Sequence, residues 1–195
     1  MQRKDIQQRI ETFFNIVSSE KDFAFDSETT GLKWQKDVVI GYSVSDGKDK
    51  VYIPVRHTGG GNIENIDLFE KHLIKKVKEH PKKIIMHHAK FDMHMCETHG
   101  LKIGISQVKD TMTRAALINE NKFGYSLDAC CKDYEDIPQK HGQELYQHIA
   151  QVTGCAPTRN SMANYHLLSG DDVLAVEYAE GDTLSTYCLS ERQEI

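Results

Sequence analysis

Hydrophobic and polar residues alternate along the chain with two different periods, and these periods divide its first part into helices and strands. Apolar residues at helical spacing predict amphipathic helices over residues 5–18 and 65–80. Between the two helices, short apolar segments punctuated by Gly and Asp predict three strands, at residues 22–28, 37–47 and 50–55. Three consecutive strands before the next helix favour an antiparallel meander.

The second part of the chain is dominated by helical patterns. One short strand is predicted at 82–88, and helices are predicted at 89–100, 109–119, 126–135 and 143–152, with a final long helix from Asp171 or Asp172 to the end. Gly100 is a suitable C-cap and Ser126 a suitable N-cap. The pattern is weakest between 136 and 170, where a loop is predicted around 154–160. Together the elements predict one domain of mixed α/β type.

Composition and charge narrow the function classes. The chain has 195 residues, 39% of them hydrophobic and 27% charged, as in an ordinary globular domain, and no apolar run reaches the roughly 18 residues of a membrane span. With a net charge of −5 there is no overall basic field, so nucleic acid would have to be bound by a local site. The five cysteines form no CxxC pair, which favours a reducing, cytoplasmic environment with the thiols as small hydrophobic groups.

Two carboxylates interrupt the first predicted strand. Side chains alternate across a strand, so Asp26 and Glu28 point to the same side and repel each other. A hard divalent cation such as Mg²⁺ or Mn²⁺ relieves that repulsion. A strand end that reaches solvent before the turn explains the same pair, so these two residues alone leave both interpretations open.

Further candidate residues lie on two predicted helices. Asp92 stands near the start of the helix that follows the fourth strand, where capping is a sufficient structural explanation. On the last helix Tyr178 and Asp182 are four residues apart and share a face, although a Tyr at such a position is ordinarily core. Gly181 between them costs about 1 kcal/mol relative to Ala in a helix, which indicates a close approach at that point.

The order of these motifs resembles the DEDD exonuclease superfamily, in its tyrosine-bearing branch. The segments VYIPVRHTGGGN, MHHAKFDMHM, DTMTRAALINENKFGYSLDACCKDY and VEYAEGDTLSTYCL are similar to successive blocks of the 3′–5′ proofreading exonuclease domain of family A DNA polymerases, with bacteriophage members nearest in style. The resemblance extends from about residue 21 to about residue 193. It implies a ribonuclease H-like fold, in which helices flank a mixed sheet of about five strands.

The resemblance also implies a two-metal site and a substrate. The ligands of two divalent cations, Mg²⁺ or Mn²⁺, would be Asp26, Glu28, Asp92 and Asp182, with Asp26 bridging and Tyr178 orienting the attacking water. The substrate would be the 3′ end of single-stranded DNA. Its contacts would be Thr29, Leu32, Phe91 and His88, the last standing where the family most often has Asn.

Three alternatives remain open at this point. A ribonuclease D-like enzyme that trims RNA shares the four carboxylates and the tyrosine, and a non-catalytic domain that grips nucleic acid or braces a polymerase is possible by the same resemblance. A zinc site from His87, His88, His94, Cys96 and His99 is disfavoured by their spacing on a helix. Asp110 is predicted to be an N-cap outside the metal set. The chain itself would be the first part of a longer polymerase or a stand-alone exonuclease in a bacterial or phage-infected cytoplasm.

Overall fold

The computed structural model of the protein describes residues 3–137 and 142–194 and is built around one five-stranded sheet in the order β3-β2-β1-β4-β5. The strands are β1 (Phe23–Thr29), β2 (Val39–Ser45), β3 (Lys50–Pro54), β4 (Ile84–Met86) and β5 (Val108–Asp110). Strands β1, β2 and β3 form the predicted antiparallel meander, whereas β4 runs parallel to β1 and β5 runs parallel to β4. The predicted mixed sheet of five strands is therefore confirmed.

Seven α-helices flank the sheet in the described ranges. They are α1 (Arg3–Val17), α2 (Ile66–Glu79), α3 (Ala89–Glu97), α4 (Thr111–Ile118), α5 (Leu127–Cys131), α6 (Gly142–Thr153) and α7 (Val173–Arg192), with short 3₁₀ segments at Ile105–Gln107 and Arg159–Leu167. None of the helices in these ranges combines the length and the apolar run needed to cross a bilayer. Residues 138–141, in the weakly patterned segment, lie outside the described residues.

Two local predictions were wrong. The helix expected from residue 109 starts two residues later, because Lys109 and Asp110 pair with β4 as the end of β5. Asp110 then caps α4 as predicted, since its side chain accepts hydrogen bonds from the amides of Met112 and Thr113. The helix expected at 126–135 is also shorter than predicted and ends at Cys131, whereas the loop expected around 154–160 is present and leads into the 3₁₀ segment that begins at Arg159.

The remaining caps follow the predictions. Helix α3 ends in a turn in which Gly100 has a φ of 81°, with hydrogen bonds from Leu101 N to Cys96 O and from Gly100 N to Glu97 O. Ser126 accepts a bond from Ala129 N at the start of α5. Of the two candidate caps of the last helix, the structure uses Asp172, whose carboxylate accepts from the first-turn amides of α7.

The two faces of the sheet are packed differently. Aromatic residues of the strands, such as Phe25, join side chains of α1, α2 and α3 in the main hydrophobic core. The other face carries small and polar residues, and α7 lies directly on it. There Ser43 donates a hydrogen bond to Ala179 O (2.8 Å) and its hydroxyl is 2.9 Å from that of Thr183. Because these side chains are small, the α7 backbone approaches the strands closely enough to bond to them.

The outer strand β3 has its free edge covered. The Tyr52 amide donates to a carboxylate oxygen of Glu180 on α7 (3.2 Å), and the Tyr52 carbonyl accepts a hydrogen bond from Arg9 on α1. The Arg9 guanidinium and the Glu180 carboxylate are themselves 3.8 Å apart. Backbone groups that would otherwise offer a pairing edge are thus satisfied by side chains.

Candidate active site

Three of the four predicted carboxylates come together between β1 and α7. Asp26 and Glu28 point to the α7 side of the sheet, and Asp182 faces them from the helix. One carboxylate oxygen of each residue lies within 4.8 Å of one from the others, and all three residues are half-buried. The close packing of α7 on Ser43 is what brings Asp182 within reach of the two strand residues.

A β-bulge lies at the end of β1 beside this cluster. Glu28 pairs with Gly41 and Thr29 pairs with Val39, so Ile40 of β2 is the extra residue. Its carbonyl accepts from both Val55 N and Arg56 N, and its side chain belongs to a second hydrophobic cluster with residues of α6 and α7. A bulge bends the strand that contains the extra residue and increases the local twist, so β2 departs from regular pairing opposite the end of β1, next to Glu28.

Asp92, the fourth predicted ligand, lies outside the group of three. It is 2% exposed, and one carboxylate oxygen accepts hydrogen bonds from Ser27 N (3.0 Å) and Ser27 Oγ (2.6 Å). Burial raises the pKa of Asp92 to about 7, against the lowering effect of the Ser27 hydrogen bonds. Asp92 is thus fixed against the residue that separates Asp26 from Glu28. No pattern in the sequence pointed to this contact with Ser27.

Tyr178 is on the same face of α7 as Asp182, as its spacing predicts. The negative charge of Asp182 is the largest cause of a strongly raised Tyr178 pKa, followed by burial and the charge of Glu28. The phenol is therefore protonated at neutral pH and can donate a hydrogen bond beside the carboxylates. Tyr146 of α6 contributes to the same pKa shift, so its phenol lies close by. Its helix lies in the weakly patterned part of the sequence, and no sequence feature pointed to Tyr146.

A buried hydrogen-bonded pair supports the cluster from β3. The Tyr52 hydroxyl lies 2.6 Å from His57 Nε2, and His57 Nδ1 lies 3.0 Å from Leu168 O. Because a carbonyl only accepts, Nδ1 carries the proton and Nε2 accepts from the tyrosine. Burial lowers the pKa of His57 to about 4, so the ring is neutral at pH 7. Burial and the nearby charge of Glu28 raise the Tyr52 pKa. This phenol therefore lies close to the carboxylate cluster.

The donor set fits a hard divalent cation. Three carboxylates supply only oxygen ligands, as Mg²⁺ or Mn²⁺ prefers. Among the described residues, this is the one group of three or more His, Cys, Asp or Glu side chains whose ligating atoms lie within 4.8 Å of one another. The histidines considered for zinc have other contacts: His87 is hydrogen-bonded to Thr111 and the Tyr125 carbonyl, and His99 accepts from Val39 N. The structure therefore does not assemble the alternative zinc site.

The predicted substrate contacts lie in two places, the turn after β1 and the start of α3. Thr29 donates to Gly31 O (2.8 Å) in the turn after β1, and the Leu32 side chain beyond it is 83% exposed. On α3, the rings of His88 and Phe91 stack with centroids 6.2 Å apart. The His88 backbone is left-handed, with a φ of 69° and a ψ of 47°.

Comparison with known proteins identifies the family of the chain. The family model of 3′–5′ exonuclease domains of the DNA polymerase A type matches residues 2–192, so the chain belongs to this family and is a 3′–5′ exonuclease. The DNA polymerase DpoZ of Acinetobacter phage SH-Ab 15497 is 33% identical over 187 residues, which are 93% of this chain and 27% of that protein. The chain spans about a quarter of the length of the phage polymerases it matches.

Solved structures support the fold assignment. Brucella melitensis NrnC with bound Mg²⁺ is similar with a TM-score of 0.55 and 18% identity, over 89% of this chain and 72% of that one. A structure of the same protein bound to pGG has a TM-score of 0.55 and 19% identity with the same coverage. At this level of identity the likeness establishes the ribonuclease H-like fold that the sequence resemblance predicts.

Proposed function

We propose that the chain removes nucleotides from the 3′ end of single-stranded DNA by two-metal-ion hydrolysis and serves as the proofreading domain of a DNA polymerase. The observation that carries the proposal is the convergence of Asp26, Glu28 and Asp182 beside the protonated phenol of Tyr178. The family and the oxygen-only donor set support divalent metal ions as cofactors.

Each acidic residue has a role in this proposal. Asp26, Glu28 and Asp182 would hold one cation, and Asp92 would serve a second, with Asp26 shared by both. Bound Mg²⁺ or Mn²⁺ lowers the pKa of water and stabilises the leaving 3′ oxygen. The Ser27 hydrogen bonds keep the Asp92 carboxylate oriented and oppose part of the pKa rise that burial causes, which favours the ionised form.

Tyr178 orients the attacking water in this scheme without removing its proton. Its pKa is raised by Asp182, by burial and by Glu28, so a phenolate is unavailable at neutral pH. A protonated phenol can still donate one hydrogen bond and accept another, which is sufficient to direct a water towards phosphorus. Removal of the hydroxyl is then expected to slow cleavage less than removal of a carboxylate.

The terminal nucleotide would be bound by the turn after β1 and by the start of α3. Leu32 has the exposure needed to wedge against the last base, and Thr29 lies at the bulge between Leu32 and the carboxylates. His88 and Phe91 present stacked rings at the start of α3. We assign these four residues to substrate binding because Thr29 directly follows Glu28 and Phe91 directly precedes Asp92, so both groups adjoin predicted metal ligands.

The relatives support a place for this activity in a longer polymerase chain and in the infected bacterial cell. The chain matches about a quarter of the phage polymerases named DpoZ, which supports a place beside a polymerase domain in a longer chain. Phage relatives also support a role in the cytoplasm of the infected bacterial cell. The likeness to NrnC bound to pGG keeps a 3′–5′ exoribonuclease as the second candidate.

The first prediction tests the reaction. A 5′-labelled single-stranded DNA oligomer incubated with the protein should shorten from its 3′ end in Mg²⁺ or Mn²⁺ and stay intact in EDTA. Asp26→Ala and Glu28→Ala should lower the rate by at least about 10³-fold, because each removes a ligand of the reacting centre. Asp49→Ala, in the exposed β2–β3 turn, is the matched carboxylate control and should cleave normally.

The outcomes separate the candidates. Faster shortening of an RNA oligomer of the same sequence would select the exoribonuclease. Cleavage that persists in EDTA, or in folded Asp26→Ala protein, would show that the carboxylate site is wrongly assigned. Binding of oligomers without cleavage in either metal would instead indicate a domain that only grips nucleic acid.

A further inference from the structure

Four aromatic rings form two stacked pairs at α3 and its N-cap. Phe91 and His94 lie on α3 three residues apart, and His88 is the residue that precedes the helix. The rings of His88 and Phe91 are within 17° of parallel at 6.2 Å. Those of His94 and Trp34 are within 19° of parallel at 5.5 Å. We call these four rings the aromatic row. Trp34 comes from the β1–β2 loop and completes the row beyond His94.

The Trp34 end of the row is held in place and open to solvent. Trp34 is 44% exposed, so part of its indole ring is accessible to a ligand. The loop that carries it is fixed by side-chain bonds: the Asp37 carboxylate accepts from Lys33 N (2.6 Å), and Val38 N donates to Thr30 Oγ1 (3.1 Å). A fixed ring loses little conformational freedom when a planar ligand stacks on it.

Positive charges accompany the row. Lys33 and Lys36 are exposed in the same loop as Trp34, and Lys90 is exposed on α3 four residues before His94. The chain as a whole has a net charge of −5, so this combination of lysines and rings is a local feature. A surface that binds single-stranded nucleic acid combines aromatic faces, on which bases stack, with positive charges that contact the phosphates.

The row is continuous with the candidate active site. The loop bearing Trp34 starts directly after Thr29, at the bulge beside Glu28, and Asp92 lies on α3 between Phe91 and His94. The segments that carry the Trp34–His94 pair therefore also adjoin or carry predicted metal ligands, so a strand bound with its 3′ end at the carboxylates can extend to this pair.

We propose that the Trp34–His94 pair is a stacking site for a base of single-stranded DNA upstream of the 3′-terminal nucleotide, extending the substrate contacts along α3. This inference rests on the proposed function and deepens it, since it names the part of the substrate that sets the preferred length. Every base has a π-face, so the site acts on strand length and is tolerant of sequence. The proposed ligand is single-stranded DNA, and not RNA, because the relatives that the chain matches are named DNA polymerases.

Trp34 is the one tryptophan of the chain, and it reports directly on the test. Protein carrying Asp26→Ala, in Mg²⁺, is titrated with thymidine oligonucleotides of two and eight residues while tryptophan fluorescence and the anisotropy of a labelled strand are followed. The octamer should quench Trp34 and bind more tightly than the dimer. Adding Trp34→Leu should weaken octamer binding by about 5- to 150-fold, the effect of one lost base–aromatic stack. Trp34→Phe should restore most of it.

His94→Ala and a matched control complete the design. His94→Ala should weaken octamer binding in the same direction as Trp34→Leu, whereas His72→Ala should leave it unchanged. His72 is stacked on Phe14 with centroids 4.1 Å apart, away from the site, so it controls for the loss of a stacked imidazole. In the cleavage-competent protein, Trp34→Leu should reduce the ratio of octamer to dimer cleavage rates.

The results distinguish the two proposals. Octamer binding without quenching, or an unchanged octamer affinity in Trp34→Leu, overturns the stacking site even if the protein is an active exonuclease. Quenching that depends on length in a wild-type protein that cleaves nothing supports the stacking site while the proposed function fails. Tight binding of an RNA octamer with no binding of the DNA octamer overturns the choice of DNA.

Discussion

At the scale of single residues, His88 occupies an unusual backbone conformation. It is the one non-glycine residue of positive φ in the described ranges, at the junction of β4 and α3. The left-handed region costs an ordinary residue about 1–2 kcal/mol, and Asn tolerates it better because its short side chain bonds locally. This requirement gives a physical reason for the Asn that the family most often has there.

A substitution at His88 tests this explanation. His88→Asn should raise the free energy of unfolding by about 0.5–1 kcal/mol, because it relieves part of the left-handed cost. His88→Val should lower it, since a β-branched residue fits the left-handed region worst. Urea denaturation of the three proteins measures both changes. Equal stability of the Asn and Val variants would show that the surroundings, including the bond from His88 N to Asp110, set the conformation at no cost.

Position 41 has room for glycine alone, because the ring of Tyr52 packs against it. A Cβ on Gly41 would lie 2.0 Å from the Tyr52 hydroxyl, and Gly41 is the register partner of Glu28. Gly41→Ala should therefore destabilise the fold by about 1–3 kcal/mol and lower cleavage. Because the clash is with one ring, its cost should be smaller in a Tyr52→Leu background, and a double-mutant cycle by denaturation measures the difference. Additive costs would mean that the strands move apart instead.

A site residue can be predicted from the sequence when the strand or helix that carries it fixes the direction of its side chain. Asp26 and Glu28 share a strand face, and Tyr178 and Asp182 share a helix face, so local periods were sufficient to group them. The contact of Asp92 with Ser27 joins residues 65 positions apart, and that of His57 with Leu168 joins residues 111 apart. The repeating pattern of neighbouring residues carries no information about contacts between such distant positions, so Ser27, Tyr52 and His57 were missed.

At the scale of elements, Asp172 connects two helices. One carboxylate oxygen caps α7 by accepting from Leu174 N and Ala175 N, and the other lies 2.7 Å from His148 Nε2 on α6. Asp172→Ala should cost about 1–2 kcal/mol, because it removes the cap and the contact together. Asp172→Asn keeps the capping oxygen and should cost less. Denaturant unfolding ranks the three proteins, and equal losses in both variants would mean that the His148 contact dominates.

The elements that the sequence missed are short or irregular. Strand β5 has three residues, and its pairing to β4 is visible only in the sheet. The 3₁₀ segment Arg159–Leu167 has no repeating apolar pattern, yet it buries Ser161 and Tyr165. Long periodic elements such as α1 and α2 were predicted because their apolar packing face is repeated several times, whereas a single buried residue gives no period.

At the scale of the whole molecule, His57 makes stability depend on pH. Its pKa is about 4 in the folded state against 6.5 for an exposed histidine, because the folded protein buries it. Between these pH values the unfolded chain binds a proton that the folded chain does not, so stability decreases as pH falls through this window. The contribution reaches about 3 kcal/mol as an order of magnitude.

A comparison of wild type with His57→Gln separates the contribution of His57 to the pH dependence of stability from that of the other titrating groups. His57→Gln keeps a side chain that can accept from Tyr52 and donate to Leu168 O, without a group that titrates. Unfolding free energies of wild type and His57→Gln at pH 7 and pH 4 should show a steeper loss for wild type. Parallel pH profiles would mean that His57 is protonated at the same pH in both states.

The covered edge of β3 also bears on how this domain behaves in a test tube. An uncovered outer strand is where chains add to one another and precipitate. Here Arg9 and Glu180 occupy the Tyr52 backbone groups, and the opposite outer strand β5 is only three residues long. Neither border of the sheet offers a long run of unpaired amides to another copy. Copies of the domain should consequently not grow into larger assemblies by edge-to-edge addition of their sheets.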